Sequence, residues 1–161
     1  MSDSNSMKSV EVERTLDAPV DQVWKMWTES ENFKKWYGPT GASIPKAEID
    51  LKVGGTRHVC MEMDTPNGPM QMWFVGEHKE IIENERLVYS EAMSDSEANI
   101  LDPASMGMPE GANTSTEVVV VLNEVDGKTN LSMQHIGVPH DSPGAMGWNM
   151  AIEKLEEYFS G

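Results

Sequence analysis

Gly147-Trp148-Asn149-Met150-Ala151-Ile152-Glu153-Lys154-Leu155-Glu156-Glu157-Tyr158-Phe159, "GWNMAIEKLEEYF", sets Trp148, Ala151, Ile152, Leu155 and Phe159 on one helical stripe, with Glu153, Lys154, Glu156 and Glu157 turned away. A helix that is apolar on one side only needs a broad apolar surface to lie against. The preceding chain supplies it. Six segments read as strands: Ala47 to Val53, Thr56 to Met63, Met70 to His78, Arg86 to Glu91, Thr116 to Glu124 and Thr129 to His135. Gly54-Gly55, Asn67-Gly68 and Asp126-Gly127 mark tight turns, because each offers a residue that tolerates positive φ. Turns this short join antiparallel neighbours, so the prediction is a meander with one face under the final helix.

Upstream, Val10, Val12 and Leu16 alternate with Glu11 and Glu13 as in a half-buried strand. Pro19 suits a first helical position, and Val20, Val23, Trp24 and Trp27 follow at i, i+3, i+4 and i+7. A second short helix from Ser30 buries Phe33 and Trp36 before Gly38-Pro39 stops it. The fold class is therefore α+β: a curved antiparallel sheet around a long C-terminal helix, with two short helices between strands one and two. Residues 9–161 are expected to form a single domain, and residues 1–8 a disordered tail. The segment 93–115 contains Ile100, Leu101, Met106 and Met108 among polar, Pro and Gly residues, and is expected to be a flexible flap near a pocket mouth.

Lys plus Arg total 12 against 27 Asp plus Glu, a formal charge of −15, and no basic run exceeds Lys34-Lys35. That balance argues against nucleic acid and against an anionic membrane surface as partners. No secretory signal and no 18-residue apolar run appears, so the expected location is cytoplasmic, without membrane insertion. One cysteine excludes an internal disulfide and agrees with a reducing compartment.

Several motifs occur in a telling order: Asp17-Ala18-Pro19 leading to Val23-Trp24 and Trp27-Thr28, Trp36-Tyr37-Gly38-Pro39, Asp50-Leu51-Lys52-Val53-Gly54-Gly55, Glu85-Arg86-Leu87-Val88-Tyr89, and Gly147-Trp148 opening the last helix. In this order they resemble the START-like, helix-grip superfamily, also called SRPBCC, and within it the branch of homologues of the activator of the 90-kDa heat-shock protein ATPase. The resemblance covers nearly the whole chain. It implies a pocket between the concave sheet face and the C-terminal helix, used across the superfamily for lipids, polyketides and other apolar molecules, with some members linked to stress. The eukaryotic activators that name the branch carry an additional N-terminal domain that makes a principal chaperone contact, so a chaperone partner is the lesser expectation.

Thirteen methionines are the outlying feature of the composition. In "CMEMDTPNGPMQMWF", Cys60 to Phe74, Met-x-Met stands on both sides of a turn. With Asn67-Gly68 at the centre of the turn, Met63 faces Met72 and Met61 faces Phe74; a wider loop pairs Met61 with Met72 and Met63 with Met70. Either register gathers Met61, Met63, Met70, Met72 and Phe74 on one sheet face. Four thioethers suit Cu(I), but His58 and Cys60 fall on the opposite face and Phe74 lies among the sulfurs. The preferred reading is an adaptable apolar wall, with no metal and no cofactor, because Met repacks around varied ligands.

His58, Cys60 and Glu62 share a face, yet residues i and i+2 of a strand stand roughly 7 Å apart, too far for a nucleophile and its base. Cys60 is therefore read as a small buried side chain. His135 shares a face with Leu131 and Met133, as a structural or ligand-contacting group, while Arg57 and Glu62 are either pocket or rim groups. No residue is assigned a catalytic role. The expected ligand-binding set is Trp36, Met61, Met63, Met72, Phe74, Met133, His135, Trp148, Ile152 and Leu155, for an apolar or amphipathic small molecule. The alternatives are a cyclase or hydrolase that uses His135 as acid or base in the same pocket, and a chaperone ATPase activator.

Overall fold

The apolar stripe on the final helix meets the sheet it requires. A computed structural model describes residues 10–38, 41–100, 115–137 and 143–160. The elements are β1 (Val10–Leu16), α1 (Val20–Thr28), α2 (Ser30–Phe33), β2 (Ser43–Ile49), β3 (Thr56–Thr65), β4 (Gly68–Ile82), β5 (Arg86–Ser94), β6 (Ser115–Val125), β7 (Lys128–Ile136) and α3 (Pro143–Ser160). The strands form one sheet in the order β1-β7-β6-β5-β4-β3-β2, every neighbouring pair antiparallel. This is the seven-stranded helix-grip architecture expected from the element order.

Ala145, Trp148, Ala151, Ile152 and Leu155 of α3 are buried against the concave face, and Phe159 packs partly onto the same core. From the sheet, period-two alternation sends Val10, Val12 and Leu16 of β1, Leu131 and Met133 of β7, Val118, Val120 and Leu122 of β6, and Leu87 and Tyr89 of β5 into that core. The two short helices close the other side with rings. Trp27 meets Trp36 at 4.6 Å between centroids and Trp148 at 6.0 Å, and Phe33 stacks on Tyr37 at 4.5 Å. The Trp36 indole N–H donates to the Met26 carbonyl at 2.8 Å, which ties the turn after α2 to α1. The first amide of α1, Val20 N–H, donates to Glu124 Oε1 at 2.7 Å, so β6 caps the helix that carries Trp24 and Trp27.

Strand β2 differs from expectation: it runs Ser43–Ile49 rather than from Ala47 to Val53. Residues 50–55 instead make a tight loop, in which Gly54 N–H donates to the His78 carbonyl and Gly55 N–H to the Lys52 carbonyl, both at 2.8 Å. Leu51 and Val53 look like strand residues but are exposed. A β carbon on Gly55 would collide with the Asp50 carbonyl oxygen, so the loop closes only around glycine.

Of the segment 93–115, Met93 and Ser94 continue β5, and Asp95 begins a turn whose carboxylate accepts the Glu97 and Asn99 amides at 2.9 Å each. Ile100 bridges back to Ser94. Ser115 begins β6, so the expected flap of 93–115 is ordered strand and turn at both ends; its remaining part, 101–114, and the expected tail, 1–8, lie outside the described residues.

Gly76 is the second position where a side chain is excluded. Here β4 approaches β5 so closely that a β carbon would meet the Ser90 carbonyl, and the register of the pair shifts just beyond, between His78 and Glu80. Gly76→Ala must push the strands apart, and is expected to cost roughly 2 kcal/mol or more. Urea denaturation checks this. A midpoint equal to the parent's would mean that the strands separate there without penalty.

Candidate functional site

The concave face of β3 and β4 carries the methionine wall. The observed pairing sets Met61 opposite Met72 and Met63 opposite Met70, with Thr65 opposite Gly68. Thus Pro66-Asn67, not Asn67-Gly68, occupies the centre of the turn, and Gly68 follows at φ 108. The Thr65 hydroxyl closes the loop by accepting the Asn67 amide at 3.3 Å. Along this face burial falls steadily outward: Val59 and Met61 are buried, Phe74, Met72 and Met63 half-buried, and Met70 is 49% exposed. The wall is a ramp from the core to the hairpin tip.

At its inner end lies a cavity of about 10 Å³, close to the least that holds one water. Its apolar walls are Phe33, Val59, Phe74 and Val75, and its polar side chains include Tyr37, Arg57, Tyr89 and Glu91. Arg57 is only 3% exposed. Its guanidinium lies 4.0 Å above the Tyr89 ring centroid and 4.9 Å from that of Phe33, a cation–π sandwich in an apolar setting. Nη1 donates to the Trp27 carbonyl at 3.3 Å and approaches His78 Nε2 at 3.4 Å. His78 Nδ1 lies 3.0 Å from the Gly55 carbonyl, so Nδ1 carries the proton and Nε2 is the acceptor that faces Arg57. Burial, and then the Arg57 charge, push the His78 pKa down. Arg57 Nη2 and the Tyr89 hydroxyl are buried without a partner among the described residues.

Glu91 stands on the same wall. Burial pushes its carboxyl up to about 7, against the opposing pull of Arg57. The Tyr37 hydroxyl donates to Glu91 Oε2 at 3.4 Å, and burial followed by Glu91 drives the Tyr37 phenol well above its ordinary value.

His135 is buried next to this group. The Trp148 indole N–H can only donate, and it reaches His135 Nδ1 at 2.8 Å. The imidazole is therefore neutral with its proton on Nε2, which donates to Thr116 Oγ1 at 2.7 Å; that hydroxyl in turn donates to the Glu91 carbonyl at 3.0 Å. Burial holds the His135 pKa down to about 4. His135 thus has polar groups within 3 Å, but both ring nitrogens are taken by the protein itself.

Of the ten residues expected to bind ligand, Trp36, Met61, Met133, His135, Trp148, Ile152 and Leu155 are buried, and Met63, Met72 and Phe74 are half-buried at the core margin. Only Phe74 among them lines this cavity. Sequence reading left Arg57 undecided between pocket and rim, and passed over Phe33, Tyr37, Tyr89 and Glu91. A signal for two of them existed: Glu91 is in phase with Leu87 and Tyr89, an acid on the apolar side of a strand, and Arg57 is in phase with Met61. On the convex face, Glu62 accepts from Gln71 Nε2 at 3.0 Å, the His58 ring lies 4.9 Å from that of Trp73, and burial, then Glu62, raise the Cys60 thiol pKa. Among the described residues no three His, Cys, Asp or Glu side chains gather as metal ligands. No described helix is long and apolar enough to cross a membrane.

The fold is similar to that of solved bacterial proteins. A protein from Nitrosomonas europaea shares 25% identity at a TM-score of 0.73, covering 96% of this chain and 95% of that one. One from Chromobacterium violaceum shares 20% at 0.76, covering 96% and 98%, and one from Mycobacterium smegmatis 17% at 0.72, covering 98% and 93%. No curated protein matches the sequence significantly. The family described as Activator of Hsp90 ATPase homolog 1-like protein matches residues 17–160, from the end of β1 through α3, and the chain belongs to that family.

Proposed function

We propose that the domain binds an apolar or amphipathic small molecule, seated on the concave face of β3–β5 between the Arg57 cavity and the methionine ramp. One observation carries this reading: an aromatic and methionine wall that opens toward solvent at Met70 and leads inward to polar groups with unused bonding capacity. Family membership supports it, since these folds typically take small hydrophobic ligands. The cavity at rest is far smaller than a ligand. Entry therefore requires Phe74, Met72 and Met63 to repack, and half-buried unbranched thioethers do so at low cost.

Heteronuclear NMR titration with a panel of fatty acids, flavonoids and polyketides tests this. The expected result is saturable shifts at Met63, Met72, Phe74 and Tyr89 for at least one class. Their absence across the panel overturns the reading. An acid–base role for His135 first requires breaking its bond to Thr116 or Trp148, and so ranks behind binding. The family description also raises a chaperone partner. Co-precipitation with the 90-kDa chaperone together with stimulated ATP hydrolysis would support that role, and failure of both would remove it.

A further inference from the structure

Two side chains that line the cavity, 3% and 2% exposed, each carry a buried donor with no partner among the described residues: Arg57 Nη2 and the Tyr89 hydroxyl. A buried, unpaired polar atom costs free energy that a ligand acceptor recovers, most strongly when the donor is charged. Arg57 also makes no salt bridge among the described residues, although Glu91 stands on the same wall. We propose that the bound small molecule carries a carboxylate, which accepts hydrogen bonds from Arg57 Nη2 and the Tyr89 hydroxyl while its apolar body lies along Phe74, Met72 and Met63. This rests on the binding function proposed above.

The chemistry of the head group follows from the cavity. Two unpaired donors match two carboxylate oxygens, and a space of about 10 Å³ favours a compact planar group. A doubly charged phosphate would meet greater repulsion from Glu91. The groups that face Glu91 are Arg57 from β3, Tyr37 after α2, Tyr89 on its own strand and His135 from β7 at 3.8 Å. Of these only Arg57 is charged in the folded protein at neutral pH. A second carboxylate in the cavity therefore obliges Glu91 to hold its proton, and binding takes up a proton once the solution is above the Glu91 pKa.

Calorimetric titration of the whole chain with hexanoate and with its neutral analogue hexanamide, at about pH 6 and about pH 8 in two buffers of different ionisation enthalpy, is the test. Near pH 6 hexanoate is expected to bind about tenfold or more tightly than hexanamide. Near pH 8 it should weaken about tenfold with measurable proton uptake, while hexanamide is unchanged. Tyr89→Phe removes only a hydroxyl that is unpaired among the described residues, so it should keep the fold and weaken hexanoate several-fold. Arg57→Met should erase the preference; if that variant fails to fold, Tyr89→Phe and the pH arm decide. Equal affinity for the two compounds overturns the carboxylate and leaves the binding function standing. Saturation by neither also overturns the carboxylate, and the panel titration then decides the binding function.

Discussion

Trp148→Ala is expected to destabilise the protein by about 3–5 kcal/mol, the usual cost of deleting a buried indole. Its ring stacks on Trp27 at 6.0 Å and meets Tyr37 at 5.6 Å edge-on, so it joins α3 to α1 and to the segment after α2 in a single aromatic slab. Its N–H also satisfies His135 Nδ1 at 2.8 Å. Trp148→Phe separates these roles: it keeps much of the packing but leaves Nδ1 buried and unbonded, at a cost of roughly 1–3 kcal/mol. Nδ1 is then free to take a proton, so the His135 pKa should rise from about 4. Urea denaturation and histidine NMR titration check both. A Trp148→Phe variant as stable as the parent, with His135 titrating unchanged, would show that the bond contributes nothing.

The second large effect is masked in the parent protein. His135 is held down to about 4 from 6.5, so its contribution is complete above 6.5 and is lost as pH falls toward 4. Glu91 is raised from 4.5 to about 7, so its contribution is complete below 4.5 and is lost as pH rises toward 7. At about 1.4 kcal/mol per unit, each arm is worth about 3 kcal/mol over its window. Between these limits the slopes oppose each other. Around pH 5.5 the folded pair holds its one proton on Glu91, the unfolded pair on the imidazole, and folding exchanges none with solvent. Glu91→Gln should expose the histidine arm, with stability falling by about 1.4 kcal/mol per unit from pH 6.5 downward relative to the parent. Parallel stability–pH curves for the parent and Glu91→Gln would refute the opposition.

Much of this fold was legible because its elements carry strong periodicity. The stripe from Trp148 to Phe159 announced both the helix and the sheet beneath it, and the odd-numbered face of β3 followed from Met61 and Met63. Where the reading slipped, a long-range contact decided. Leu51 and Val53 have strand-like side chains, but the pull of Gly54 onto the His78 carbonyl makes their segment a loop. The site was harder to read for a related reason. Arg57 alone is only a charge in a strand; it becomes a buried one through Phe33, Tyr89 and His78, which arrive from α2, β5 and β4. The opposed ionisation of Glu91 and His135 is likewise a property of their shared burial, which no local pattern encodes.

The sheet joins its two most distant strands: Val10 of β1 lies opposite His135 of β7. Strands β2 to β5 are connected as successive hairpins, and β6 to β7 likewise, so they can zip up in the order in which they are synthesised. β1 cannot. It is synthesised before β7 and waits for it with its backbone donors and acceptors unpaired, while Trp24 and Trp27 of α1 and Trp36 after α2 wait uncovered. The closing step pays a loop entropy spanning most of the chain, which makes this a slow, late-folding topology whose vulnerable interval is the life of the nascent polypeptide rather than that of the finished protein.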